Sequence, residues 1–202
     1  MKKPRKITAI RDKELFFEDI KDLCRVAIQA GAWDVAIIGK IDLIFSSDKS
    51  KAENSYKSAH WPVSYVNDDL QAAFEAFSSG VFFSVKTPPA MPSPGQGLVQ
   101  DKEVRQILAK TYELAAKVES AAFYMGYSMS LGFACGNCRA VFCHNEKRCW
   151  AMIKGRVCMH PYKARPSMVA AGLAPVKMAK SLGWEFDNDK IGPLLTGLVM
   201  VD

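Results

Sequence analysis

No run in this 202-residue chain approaches the roughly 20 apolar residues that a membrane-spanning helix needs. No membrane association is therefore expected. The first residues, M-K-K-P-R-K-I-T-A-I-R-D-K-E, start basic but reach Arg11 and Asp12 before any apolar stretch forms. They are not read as a secretory leader, so a cytoplasmic location is expected, where thiols stay reduced and a disulfide framework is disfavoured. No Walker loop, dinucleotide fingerprint or Ser/His/Asp arrangement is present. Gly95-Gln96-Gly97 has neither a preceding strand nor a third glycine. There is no internal repeat and no low-complexity tract. No cysteine lies between Cys24 and Cys135.

What is present is concentrated. Five of the six cysteines, Cys135, Cys138, Cys143, Cys149 and Cys158, fall within 24 residues. Thiolates are soft donors, and such a cluster in a reducing compartment points to a metal centre. Charge is concentrated in the same place. Residues 133–166 carry seven Lys or Arg and one acid, Glu146, so this segment holds a net +6. The remainder of the chain is close to neutral. A four-thiolate zinc site and a four-thiolate iron–sulfur cluster are both anionic, and nearby cations and backbone N–H groups stabilise either. The basic residues alternate with cysteines. The aromatic residues among them are only Phe142, Trp150 and Tyr162, which argues against a nucleic-acid platform.

Hydrophobic content of 49% and charged content of 24% are those of a soluble globular protein. Residues 13–30 read as an amphipathic helix stopped by Gly31, with Cys24 on its apolar stripe as a packed thiol. Segments 34–38 and 41–46 read as a hairpin around Gly39-Lys40. Residues 47–66 are polar and irregular. A helix is expected over 68–78 and a strand over 81–86. The Pro/Gly-rich stretch 87–97 is a loop. Asp101 caps the longest helix, 102–126, and residues 127–134 form a strand leading into the cysteines. Ser167 opens a short helix stopped by Gly172, another helix covers 175–182, and 194–201 is a final strand. The expected fold is α+β: a small mixed sheet packed by helices, with a C-terminal cysteine-rich metal-binding lobe. The whole chain, 1–202, reads as one domain, with an N-terminal αβ half (1–97) and a second half (98–202) of long helix plus cysteine-rich lobe.

Cys135-Gly-Asn-Cys138 is a C-x-x-C step able to wrap one metal, with glycine easing the turn. Structural zinc sites usually pair two such short knuckles, and here there is one. Irregular spacing suits an iron–sulfur cluster, and Cys158-Met-His-Pro161 is reminiscent of the Cys-Pro ends of cluster loops. Five cysteines exceed the four that a cubane takes. His144 and His160 are possible nitrogen donors, and His60, beside Trp61-Pro62, reads as a packing residue.

The runs G-F-A-C-G-N-C (132–138) and R-V-C-M-H-P-Y-K-A-R-P-S-M-V-A-A-G-L (156–173) resemble the predicted metal-binding proteins called domain of unknown function 2284. That family typically carries a G-x-G-x-C opening, clustered cysteines and a C-R-H-P-x-x-A-R-P-S-M-E-A-x-G ending. A-I-Q-A-G-A-W-D-V-A-I-I at 27–38 looks like its amino-terminal helix and strand. The resemblance implies Cys138, Cys143, Cys149 and Cys158 as ligands, Cys135 as an accompanying cysteine, and an iron–sulfur centre with no assigned reaction. Relatives often have a second cysteine set near a W-x-C-P-P motif. The comparable stretch here, K-S-A-H-W-P-V-S, has none, which argues against two centres exchanging electrons. Met159 replaces the usual arginine and Val169 the usual acid.

The expected cofactor is therefore a [4Fe-4S] cluster, with zinc as the alternative. His160, Lys163 and Arg165 are expected around it, tuning it by charge and hydrogen bonds. The competing reading makes the H-P-Y-K-A-R-P-S run a rigid brace. The functional expectation is electron transfer or redox support for a partner protein. The alternatives are a zinc-bearing interaction module and a cluster-dependent enzyme.

Overall fold

The computed structural model describes residues 12–47, 74–89, 91, 101–153, 156–186, 188 and 190–202. The polar stretch 48–66, His60, most of the helix expected over 68–78 and most of the loop 87–97 lie outside them; residues 74 and 75 are helical.

Helix α1 spans Lys13–Gln29. The Asp12 carboxylate accepts the N–H groups of Glu14 and Leu15, which otherwise have no partner in the first turn. Ile20, Leu23 and Ala27 recur at helical spacing and are buried. Gly31, at φ 104°, turns the chain out of the helix in a conformation other residues resist. Strand β1, Asp34–Gly39, follows.

The hairpin expected next does not form. The Asp42 carboxylate accepts the Gly39 N–H at 2.7 Å and closes a single 3-10 turn over Lys40–Asp42. Phe45 makes only an isolated bridge to Leu173. β1 pairs instead with β2, Ser79–Val85, in antiparallel register with Val35 opposite Phe83.

Helix α2, Lys102–Tyr124, is capped by Asp101 as expected. Strand β3, Ser130–Phe133, then leads into helix α3, Cys138–Phe142. Helix α4, Pro175–Ser181, and strand β4, Leu195–Val201, complete the described elements. The short helix expected after Ser167 is a run of turns. Ala134 and Ser167 form a parallel bridge, and this tertiary pairing holds the backbone extended where a helix would begin. Ser167 Oγ still accepts the Ala170 N–H, so its capping chemistry survives in a turn.

The sheet order is β1-β2-β4-β3, and all three pairings are antiparallel. The α+β expectation stands, but the sheet is not mixed. β1 and β2 come from the first half of the chain and β3 and β4 from the second, so both halves contribute to one sheet.

The central strands β2 and β4 are covered on both faces. On one face Val81, Phe83, Val85, Leu195, Val199 and Val201 meet the apolar sides of α1 and α2. On the other, Phe82, Leu198 and Met200 meet Phe74, Phe133, Met168 and Met178. Burying each such side chain contributes about 1.5–3 kcal/mol. Gly197, opposite Phe83 in the β2–β4 register, leaves no room for a side chain: an added Cβ would strike the Phe83 ring and come within 2.9 Å of the Phe133 carbonyl oxygen. The cysteine segment leaves this rigid sheet at the end of β3.

Candidate metal centre

α2 anchors the first cysteines. The Cys135 N–H donates to Thr111 Oγ1 at 3.2 Å, and the buried Tyr112 hydroxyl donates to the Gly136 carbonyl at 2.9 Å. Gly136 takes a φ of 78°, so the C-x-x-C turn uses the conformational freedom expected of it. Asn137 caps α3 by accepting the Arg139 N–H, and Cys138 begins that helix, buried.

The clustered cysteines form two groups by the electrostatic influence they exert. Cys135 and Cys138 both lie close enough to Tyr112 to act on its hydroxyl electrostatically. Its pKa stands well above the usual phenol value, first through burial and then through those two thiols. Burial also pushes the Cys135 thiol up to about 11, partly offset by a backbone N–H from Thr196.

Cys143, Cys149 and Cys158 make up the second group. The Cys143 thiol is raised by burial first, then by Cys158, Cys149 and Glu146, while Arg139 pulls it down. The Cys158 thiol is raised by burial; a hydrogen bond from the His160 backbone N–H lowers it, and Cys149 raises it. That N–H lies 3.3 Å from Cys158 Sγ. Backbone N–H donors on sulfur favour the thiolate that a metal requires.

Arg139 organises the loop between these thiols. Its Nη2 donates to the carbonyls of Glu146 and Lys147 at 2.8 and 2.7 Å. Its Nε is buried with no hydrogen-bond partner among the described residues. Behind the loop, the Phe142 ring packs edge-on to Tyr112 and lies 5.6 Å, centroid to centroid, from His160.

The three residues expected around the centre have different positions. His160 contributes its backbone N–H to Cys158 and its ring to Phe142. Lys163 is exposed. Arg165 is buried: its Nε donates to Glu119 Oε2 at 2.7 Å, and its Nη1 donates to the carbonyls of Ala164 and Pro161. Glu119 also accepts the Gly132 N–H. Arg165 therefore braces the loop against α2 and β3. His144 is exposed. Cys24 sits on α1 against the core, with its thiol pushed up to about 11 by burial.

Among the described residues no disulfide forms, and no three His, Cys, Asp or Glu side chains converge tightly enough to hold one metal ion. The donor chemistry nonetheless suits a thiophilic group: three thiols, a backbone N–H on sulfur and an unpaired buried guanidinium N–H all come from residues 139–160. Sequence reasoning missed Arg139, Glu119 and Tyr112 as organisers. Asn137, a good helix cap directly before Cys138, was the one available sign of α3.

No helix among the described residues is long and apolar enough to cross a membrane. The family model described as predicted metal-binding protein, domain of unknown function 2284, matches residues 54–201. No curated protein and no solved structure matches the chain.

Proposed function

The chain belongs to this family of predicted metal-binding proteins, and we propose that it holds an iron–sulfur cluster used for electron transfer or redox support of a partner enzyme. The support for the reading is that Cys143, Cys149 and Cys158 stand close enough to act on one another electrostatically, within a strongly basic segment. Cys138, at the start of α3, is the proposed fourth ligand, and Cys135 is the accompanying thiol. One C-x-x-C followed by irregular spacing favours a four-iron core over a closed zinc knuckle. When bound, such a cluster supplies one-electron transfer.

The chain's own residues set the terms. The His160 N–H donates to Cys158 Sγ, where it would favour the thiolate that a metal requires. Arg165 fixes the loop that carries Cys158, and Lys163 adds to the positive field. Val157 and Met159 flank Cys158, and Val157 and Tyr162 are 80% and 87% exposed. Lys147, Arg156 and Lys163 are exposed in the same segment, and Arg156 stacks over Trp150 at 4.5 Å. Exposed apolar side chains among cations suit an acidic redox protein, which the positive field would steer.

Oxygen-free purification with iron, sulfide and zinc analysis and electron paramagnetic resonance tests the reading. About four irons and four sulfides per chain are expected for a cubane. One zinc per chain without sulfide would replace it with the interaction-module alternative.

A further inference from the structure

Resting on the metal-centre reading above, we infer that Arg139 is the residue that readies this loop for metal: it clamps the 143–149 segment and donates its Nε–H to the Cys143 sulfur once that sulfur is a ligand. Nothing in the motif pattern marks Arg139; the fold does. One nitrogen, Nη2, grips two successive carbonyls, Glu146 and Lys147, which lie between Cys143 and Cys149. The loop is thereby tied to α3 at the residue next to Cys138. The Glu146 N–H in turn donates to the Cys143 carbonyl at 3.0 Å, closing the loop on itself.

The second observation is the buried Nε without an acceptor among the described residues. Proteins rarely leave a buried charged donor unused, because desolvating it without a partner is costly. Cys143 lies one helical turn after Arg139, its N–H donating to the Arg139 carbonyl at 2.8 Å, so the two side chains share one side of α3. A protonated thiol is a weak acceptor, whereas a metal-bound thiolate is a strong one. Arg165 cannot take this part, because Glu119 and two carbonyls engage it. A planar guanidinium can grip carbonyls with one nitrogen while donating from another; an ammonium is a single point charge.

Three variants test the assignment: Arg139→Met, Arg139→Lys and the exposed control Arg148→Met, which removes the same charge. In metal-free protein, hydrogen exchange at the Glu146 amide reads the clamp. In anaerobically iron-loaded protein, the rate of iron loss to a chelator reads the sulfur donor. Both Arg139 variants should speed exchange and speed iron loss by roughly 10–100-fold, the usual cost of losing a residue that orients a ligand. Arg148→Met should do neither. Wild-type behaviour of Arg139→Lys in both measurements would overturn the inference, since charge alone would then suffice. Iron loss from Arg148→Met as fast as from Arg139→Met would overturn it for the same reason. Should the wild type take up no iron or zinc, the metal-centre reading and the sulfur-donor half fall together, while the exchange measurement still judges the clamp.

Discussion

Arg165 Nε donates to Glu119 Oε2 at 2.7 Å, and the other carboxylate oxygen of Glu119 accepts the Gly132 N–H at 3.1 Å. One carboxylate thus joins the long helix, the strand before the cysteines and the segment after Cys158. The side chains of Arg165 and Glu119 are only 10% and 20% exposed.

Removing one member leaves the other charge partly buried. Glu119→Gln should lower unfolding free energy by about 2–3 kcal/mol, somewhat below the 3–5 typical of fully buried pairs. Urea titration measures it. Arg165→Met should be comparably destabilising and should also weaken iron retention, because the Cys158 loop loses its anchor. An unchanged urea midpoint in both variants would show that the pair braces nothing.

Metal uptake should rise with pH. Cys143 and Cys158 are both held above the ordinary thiol value, chiefly by burial, and must shed protons to bind. Titration with zinc as a probe at pH 6, 7 and 8 should show tightening affinity and proton release on binding. A flat profile would contradict coordination by these thiols.

Metal-free stability has its own pH window. The Cys24 and Cys135 thiols move from an ordinary 9.0 to about 11 in the folded protein. The unfolded chain ionises first, so their contribution is complete below pH 9 and is lost between about 9 and 11. Thermal midpoints of metal-free protein should fall over that range, and Cys135→Ala should flatten the fall.

Serine replacements should rank the cysteines. Cys158→Ser should abolish the centre, and Cys135→Ser should have the smallest effect, because its sulfur lies beside Tyr112 and the β4 backbone. Iron and sulfide per chain, measured for all five variants, check the order. Equal loss throughout would refute it.

Tyr112→Phe should cost about 1 kcal/mol, the usual net worth of a hydrogen bond, by removing the donor to the Gly136 carbonyl. The accompanying loosening should appear as faster amide exchange between Cys135 and Cys138.

Periodicity marked α1 and α2 almost to the residue, because amphipathic stripes and Asp caps are local signals. β2 and β4 were legible as apolar runs between breakers. The hairpin was misread because Asp42 competes locally for the Gly39 N–H, while β1 finds a distant partner in β2. The turn after Ser167 was misread because its backbone pairs with Ala134, 33 positions away.

From residue identities alone came the soft-donor cluster, its positive surroundings and the likeness to a metal-binding family, since these depend on composition and spacing within one short segment. Folding decided which partner each of the cations finds. Arg139 and Arg165 are chemically the same side chain. Only the packing of α2 and β3 gives Glu119 to Arg165 and leaves Arg139 beside Cys143, because partners distant in sequence are chosen by the fold.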